Sequence, residues 1–377
     1  MTFQRWIKQS LFFKIFSIGC IIFLLMIPNS MIRSLIMERN YIQQSVINEV
    51  SDKWGREQQI VGPILIIPYK TYSEDKDGKV IETIKYSNFL PEELNINGEI
   101  FPENRKRGIY NVVLYQSIIT CSGRFKKPDF SKLGIDKDDV LLEQAFLQIS
   151  IPDMSGINEK ISLKYKNKMF QMEPGIEQIN GFISGVKIPI DLDVKQPNFT
   201  FDFDLNLNGS HSLSFGPVGK ETIVKLTSSW ESPSFIGSFL PDEHTINKDG
   251  FTASWKILDL NRNYPQSWIG EKQNLLQSSF GLQLIQPVDE YAKIFRSAKY
   301  ALLVIALTFM VFFFIEIINK QQVHPMQYIL VGLAISIFYV LLLSLSEHIG
   351  FNNAYLISSL ATIGLIGTYS TTILSVY

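Results

Sequence analysis

Apolar segments lie at the two ends of this chain and leave its long middle polar. The first runs from Leu11 to about Ile32, and the others are Tyr300–Ile318, Met326–Leu345 and Tyr355–Tyr377. A helix crosses the hydrocarbon core of a bilayer with about 20 apolar residues. All four segments therefore have the length of a transmembrane helix. The spacing predicts a membrane protein with a large polar region inserted between one helix and three.

Composition excludes several classes of function. The formal net charge of the 377-residue chain is −1, and no dense Lys/Arg cluster is present, so a nucleic-acid partner is not expected. Two cysteines, Cys20 and Cys121, are too few for a disulfide scaffold. The four histidines lack the spacing of a metal site. The lipid bilayer is the one partner that composition supports, and neither a metal nor a cofactor is predicted.

Basic residues around the first apolar segment predict its orientation. Arg5, Lys8 and Lys14 favour a cytoplasmic N-terminus. No small-residue cleavage site follows, so an uncleaved anchor is favoured over a signal peptide. Alternation then places the polar middle outside the cytoplasm. The last segment ends at Tyr377 without a polar flank, which predicts that the helical bundle at this end is truncated.

The pattern divides the chain into four parts. Residues 1–32 are predicted to form the cytoplasmic N-terminus and the first transmembrane helix. Residues 33–57 keep apolar positions at helical spacing, which indicates a stalk or, alternatively, an amphipathic helix on the outer leaflet. Residues 58–290 are predicted to form an extracytoplasmic β-rich domain, and residues 291–377 three transmembrane helices.

Alternating residues predict the β structure of the middle. Phe199–Asn208 alternates apolar and polar side chains without a break, as in a strand with one buried face. The other predicted strands are Gly62–Tyr69, Gly108–Tyr115, Ala145–Ile151, Lys160–Lys166, Glu221–Ser228 and Gly250–Leu258. Hairpin-type turns are predicted at Asn97-Gly98, Asn180-Gly181, Asn208-Gly209 and Asp249-Gly250. This pattern indicates a sandwich or two stacked sheets.

Acidic pairs in the β region raise one catalytic alternative. Asp191 with Asp193, and Asp202 with Asp204, each share one face of a strand. Solvated carboxylates on a polar face are the favoured interpretation, and an envelope hydrolase that uses these residues with His211 or His244 is the alternative. Neither a nucleophile elbow nor a phosphate-binding loop occurs in the sequence, so no catalytic residue is predicted.

Polar residues at the ends of the apolar segments raise a second alternative. Glu316 ends the second segment, and Glu347 and His348 follow the third. Ionisable groups in lipid are costly and usually functional. A transporter or channel formed by the C-terminal helices, with Glu347 and His348 at its outer mouth, is therefore possible. Polar residues that simply end a helix are the other interpretation.

Several motifs together resemble one family. They are Trp54–Tyr69, Leu205–Ser210, Ser232–Pro241, Leu260–Trp268, Gln286–Tyr291 and Leu343–Phe351. They resemble segments of the CreD family of bacterial inner-membrane proteins. The resemblance implies a role in cell envelope integrity under stress, in the inner membrane, and no catalytic residues are established for that family. One segment departs from this resemblance. It reads Asp153-Met-Ser-Gly-Ile157 here, whereas the resemblance implies Asp-x-Arg-Gly-Ile.

The resulting hypothesis is a non-enzymatic membrane protein whose β domain binds an envelope protein or glycan. Aromatic and arginine side chains exposed in loops are expected to carry such binding. The candidates are Trp230, Phe235, Phe239, Arg262, Tyr264 and Trp268. Prolines mark bends around them, so core and turn roles are the alternative. The sequence predicts neither the identity of the partner nor the oligomeric state.

Overall fold

The computed structural model describes residues 11–77, 79–166, 168–177, 181–192, 198–270, 273–285, 290–319 and 323–375. The chain divides into two compact units. The helical unit contains Met1–Val46, Gly108–Tyr110 and Val288–Tyr377, and the β unit contains Ile47–Arg107 and Asn111–Pro287. Arg5, Lys8, Asn180 and Asp193, which the sequence analysis singled out, lie outside the described residues.

Five α-helices occur in the described residues. They are α1 (Leu11–Trp54), α2 (Glu290–Lys299), α3 (Ala301–Asn319), α4 (Pro325–Ile349) and α5 (Phe351–Ser375). Helix α1 continues without interruption from the predicted anchor into the predicted stalk and ends at Trp54, three residues before the predicted end of the stalk. Helix α4 begins where His324 accepts a hydrogen bond from the backbone N–H of Met326, with Pro325 in the first turn. Proline suits that position because its missing N–H would have no helical partner there.

Three of these helices are long and apolar enough to cross a membrane. Within the described residues they are α1, α3 and α4. Helix α5 has a similar length, but Ser, Thr, Asn and Gly dilute its apolar residues, and it is not among the three. The fourth predicted span overlaps α5, and its crossing of the membrane stays a prediction.

Apolar side chains of α1, α2, α3 and α4 form one core in the helical unit. Leu25, Ile294, Ile305 and Leu342 are fully buried members of it. A Cβ atom added at Gly332 would lie 2.2 Å from Leu25 Cδ1. The glycine therefore lets α1 approach α4 closely, as small residues do in helix packing within lipid.

The β unit is built from two sheets. Strands β1 to β6 are Gln58–Glu74, Val80–Phe89, Glu93–Arg107, Tyr110–Lys126, Phe146–Ser150 and Ser162–Tyr165. Strands β7 to β12 are Lys168–Gln171, Glu173–Pro174, Gly185–Pro189, Asn198–Ser210, Ser212–Phe215 and Glu221–Ser228. Strands β13 to β17 are Pro233–Gly237, Glu243–Asn247, Gly250–Leu258, Ser267–Ile269 and Phe280–Leu284. All seven predicted strands overlap observed ones.

Both sheets are mixed. The first has the order β13-β17-β11-β1-β5-β9-β8, with β2 paired to β1 and β16 to β2. The second has the order β14-β15-β12-β3-β4-β10-β6-β7. Strand β1 runs parallel to β11, and β12 runs parallel to β3. Leu65 and Phe215 of the first sheet and Phe203 and Trp255 of the second belong to one buried apolar cluster.

The predicted alternation of β10 is confirmed, whereas two predicted turns are wrong. Asp249-Gly250 lies at the hairpin between β14 and β15, as predicted. Asn97-Gly98 lies inside β3 and Asn208-Gly209 inside β10. A Cβ at Gly98 would lie 2.7 Å from Leu226 Cδ2, and one at Gly209 2.2 Å from Tyr115 Oη. These glycines serve close packing across strands and not chain reversal.

Candidate functional site

A buried carboxylate lies at the end of α3 in the helical unit. The Glu316 centre consists of Lys14, Glu316, Val323 and Tyr328. The Glu316 side chain is 4% exposed, and its Oε1 accepts hydrogen bonds from Lys14 Nζ at 2.5 Å and the Val323 backbone N–H at 2.9 Å. Its Oε2 accepts from the Tyr328 hydroxyl at 3.3 Å. A buried charge is tolerated only when it is paired and hydrogen-bonded, and this one is.

A second acidic group lies near the end of α4. The Glu347 centre consists of Arg39, Tyr291 and Glu347. The Tyr291 hydroxyl donates to Glu347 Oε1 at 3.0 Å, and Arg39 Nε lies 3.9 Å from the same oxygen. His348 is exposed. Adjacent residues on a helix point in different directions, and a place for both Glu347 and His348 at an outer mouth stays a prediction.

The ionisable groups lie at the ends of the apolar stretch of α1 and not in its middle. Residues 15–32 carry no charged side chain, which at about 1.5 Å per residue gives a length of about 27 Å. The hydrocarbon core of a bilayer is about 30 Å thick. Lys14 marks one end of this stretch and pairs with Glu316. Arg33 marks the other and donates to the Lys299 carbonyl oxygen at 3.3 Å.

A polar junction in the β unit surrounds Asp153. Its carboxylate accepts from the Arg56 backbone N–H at 2.7 Å, and from the Ser155 N–H at 3.0 Å and hydroxyl at 2.7 Å. Burial alone would raise the pKa of Asp153, but these hydrogen bonds outweigh it and hold the pKa below the ordinary value. The family resemblance predicts an arginine at the position that Ser155 occupies. The carboxylate therefore keeps satisfied partners without that arginine.

The same junction joins three segments that are distant in sequence. The Gln58 side-chain amide donates to the carbonyl oxygens of Asp153 at 3.0 Å and Asn208 at 3.2 Å. A Cβ at Gly55 would lie 2.6 Å from the Asn208 oxygen, and one at Gly156 2.3 Å from it. Glycine is required at both positions for close approach. Two of the three segments, those of Gln58 and Asn208, belong to motifs that resemble the family, and the structure brings them together.

Three of the six predicted binding side chains are buried, so their expected exposure is wrong. Arg262, Tyr264 and Trp268 are 7%, 7% and 5% exposed. The Arg262 guanidinium lies 4.3 Å from the centre of the Tyr264 ring, and the Tyr264 hydroxyl donates to the Pro217 carbonyl oxygen at 3.1 Å. Burial raises the pKa of Tyr264 to about 12 and lowers the pKa of Arg262. These residues pack a turn against the core.

The other three candidates are half-buried. Phe235 packs edge-to-face on Trp255 with ring centres 5.7 Å apart. Phe239 packs the same way on Phe280 at 6.0 Å. The Trp230 indole N–H donates to the carbonyl oxygens of Ser232 and Ile285. Each has a packing role that sequence reasoning left as the alternative, and a binding role for them stays a prediction.

The described acidic and histidine residues of the hydrolase alternative, which leave out Asp193, do not form a cluster. Asp191, Asp202 and Asp204 are exposed. Burial lowers the pKa of half-buried His211, and the His244 ring packs on Phe235 at 5.4 Å. In the described part of the chain, no three His, Cys, Asp or Glu side chains are placed to hold a metal ion.

Cys121 is buried within the β unit. Burial raises the pKa of its thiol, with a smaller contribution from the carboxylates of Asp204 and Asp202. A reactive cysteine requires the opposite shift, because the thiolate is the nucleophile. Cys121 is therefore a core residue.

Apolar helices of membrane length and a β-rich region define a membrane protein of mixed architecture. The sequence profile described as inner membrane protein CreD matches residues 10–377. The inner membrane protein CreD of Escherichia coli (strain K12) is 34% identical over 370 residues, which is 96% of this chain and 81% of the relative. The chain belongs to the CreD family of inner membrane proteins.

Proposed function

We propose that this protein is a non-enzymatic, multi-pass inner-membrane protein that supports envelope integrity under stress. An extracytoplasmic β sandwich binds an envelope partner. One observation carries the proposal: the buried carboxylate of the helices is satisfied by Lys14, Val323 and Tyr328 of its own unit. A paired charge at the end of an apolar stretch stabilises helix packing and requires no substrate. Because the helical unit then needs no ligand, the proposal assigns binding of the envelope partner to the β unit.

Charge distribution supports the orientation. Lys14 precedes the apolar stretch of α1, and the positive-inside rule assigns such a flank to the cytoplasm. The β unit follows this helix in the chain and is thereby assigned to the periplasm. The shared apolar cluster of the two sheets supports the sandwich, because packed sheets bury their facing side chains together.

Cysteine accessibility tests the orientation. Lys248, at the exposed tip of the β14–β15 hairpin, is replaced by cysteine in a full chain whose Cys20 and Cys121 are replaced by alanine. A membrane-impermeant maleimide should label this position in intact spheroplasts. His324→Cys, on the opposite side in the proposed topology, is the matched control and should react only after lysis. The reverse pattern would contradict the topology.

Cross-linking in living cells tests the binding role. The full chain carries a photoreactive residue at exposed positions of the β unit, such as Ser229 or Leu240. The expected result is a discrete adduct with an envelope protein or glycan that is absent when the residue is placed at buried Leu226. If every position yields only lipid adducts or none, the proposed binding role is wrong.

A transporter or channel is the second candidate, and the same buried carboxylate favours it. Glu316 is an ionisable side chain that is only 4% exposed among apolar helices, and such groups are often functional. Flux of protons and small cations into proteoliposomes holding the full chain tests this candidate. A rate equal to that of empty liposomes would remove it. A flux that Glu316→Gln leaves unchanged would remove the site.

A further inference from the structure

The second sheet holds a cavity of about 360 Å³ whose lining is about half polar and half apolar. Strand β3 forms one side of this cavity, and the β14–β15 hairpin forms the other. Strand β12 ends between them at Ser228. Ligand sites in proteins commonly measure about 300–1,000 Å³, so the volume suits a small ligand or one segment of a polymer.

The cavity floor carries side-chain hydroxyls in register across adjacent strands. Thr227 of β12 is the partner of Glu99 on β3 and of Thr252 on β15. Thr252 is in turn the partner of Thr245 on β14. Neighbouring strands lie about 4.8 Å apart, so the row Glu99–Thr227–Thr252–Thr245 is a regular array. All four side chains are exposed.

The hydroxyls of this row remain available to a ligand. Among the described residues, no hydrogen bond within the protein engages the hydroxyl of Thr227, Thr245 or Thr252. Each hydroxyl both donates and accepts. A ligand that presents hydroxyls at similar spacing finds a complementary partner at each strand.

The walls add an aromatic face and further polar groups. Phe101 is 43% exposed and shares the face of Glu99, because the two are two residues apart on β3. Asn247 and Asp249 line the opposite side, and Asn247 Oδ1 accepts from the Asp249 backbone N–H at 3.0 Å, which orders the hairpin tip. An exposed ring beside hydroxyls and carboxylates presents both apolar and polar surface to one ligand.

The lining also indicates the charge of the ligand. Among the described residues that line the cavity are two carboxylates, those of Glu99 and Asp249, but no Lys, Arg or His. The two carboxylates disfavour phosphates and other anions there. A pyranose ring offers hydroxyls to the polar groups and a C–H face to an aromatic ring. We propose that this cavity binds a neutral glycan of the envelope, an inference that rests on the proposed function and names its partner.

Titration calorimetry on the full chain in detergent tests the proposal. Chitohexaose and maltohexaose are the neutral probes, and hexagalacturonate is the anionic comparison. At least one neutral probe should bind, with hexagalacturonate much weaker. The double variant Thr227→Val/Thr252→Val removes two hydroxyls with little change of shape, and we expect about tenfold or greater loss of affinity.

Two further variants keep the result interpretable. Thr200→Val changes an exposed threonine of the same sheet on β10, outside the cavity, and should bind as the unchanged chain does. Phe101→Ala removes the exposed ring and should weaken binding even if the double valine variant fails to fold. Far-UV circular dichroism establishes folding of each variant.

Three results would overturn the proposal. The first is that neither neutral probe binds at millimolar concentration. The second is binding that both the double Thr variant and the Phe101 variant leave unchanged. The third is tight binding of an extended peptide at the β14 edge in place of a glycan. In each case a protein adduct in the cellular cross-linking experiment would leave the proposed envelope-binding function standing. If that experiment yields neither a protein adduct nor a glycan adduct, the proposed envelope-binding function is wrong as well.

Discussion

Replacing Lys14 by methionine should destabilise the helical unit, because the Glu316 carboxylate would remain buried without its cation. Removing one partner of a buried pair commonly costs about 3–5 kcal/mol. Here the Lys14 side chain is 31% exposed, and the Val323 N–H and the Tyr328 hydroxyl still donate to the carboxylate. We therefore expect the lower end of that range, about 3 kcal/mol.

The complementary change should cost less. In Glu316→Gln the amide oxygen still accepts from Val323, and the half-buried Lys14 amine can extend its chain towards water. The expected cost is about 1–2 kcal/mol. In the double variant no uncompensated charge remains, so the two effects should not add. A coupling free energy of about 1.5 kcal/mol or more is expected.

The measurement is reversible unfolding of the full chain in mixed micelles, followed by the helical far-UV signal. Lys53→Met with Glu49→Gln is the exposed control pair on the same helix, in the part of α1 that belongs to the β unit. That pair is 2.7 Å apart, but its side chains are 70% and 45% exposed. Its coupling should be about 0.5 kcal/mol or less. Equal coupling in the two cycles would refute the argument that burial makes the Lys14–Glu316 pair strong.

Three further predictions concern the β unit. The pKa of Asp153 lies below its ordinary value of about 3.9, so its contribution to stability is present above that pH and is lost as pH falls through the folded-state pKa. The difference in unfolding free energy between the unchanged chain and Asp153→Asn should therefore shrink in acid, and a difference independent of pH would contradict this. Burial lowers the pKa of His211 in the folded chain. As pH falls, the unfolded chain therefore takes up a proton at this histidine near pH 6.5, before the folded chain does. The free energy of unfolding should thus decrease as pH falls from about 7 to about 5. His211→Asn, which tolerates the φ of 58° there, should flatten that slope in a pH series of unfolding curves, and unchanged slopes would contradict it. Gly156→Ala should lower stability by about 1–3 kcal/mol, because the added Cβ would lie 2.3 Å from the Asn208 oxygen. Gly19→Ala, which meets nothing within 4 Å, is its control in thermal unfolding, and equal melting temperatures would refute the steric argument.

Local pattern in the sequence was sufficient for the membrane-length helices and for seven of the seventeen described strands, and the quoted motifs were sufficient for the family. Apolar runs predicted the three membrane-length helices, and alternation predicted the buried Phe201 and Phe203 face of β10, because both periodicities depend on near neighbours. The same reasoning failed at Gly98 and Gly209. An Asn-Gly pair signals a turn unless a side chain from another strand needs the space, and that side chain is distant in sequence.

Tertiary structure alone decided which groups meet. Lys14 and Glu316 are 302 residues apart in the chain, and each appears in the sequence as an ordinary flank of an apolar segment. Arg262 and Trp268 look like exposed loop residues in sequence, yet both are buried. The Thr227–Thr252–Thr245 row exists only through strand register. Side-chain type and local periodicity are written in the sequence, whereas pairing and burial depend on which distant segments pack together.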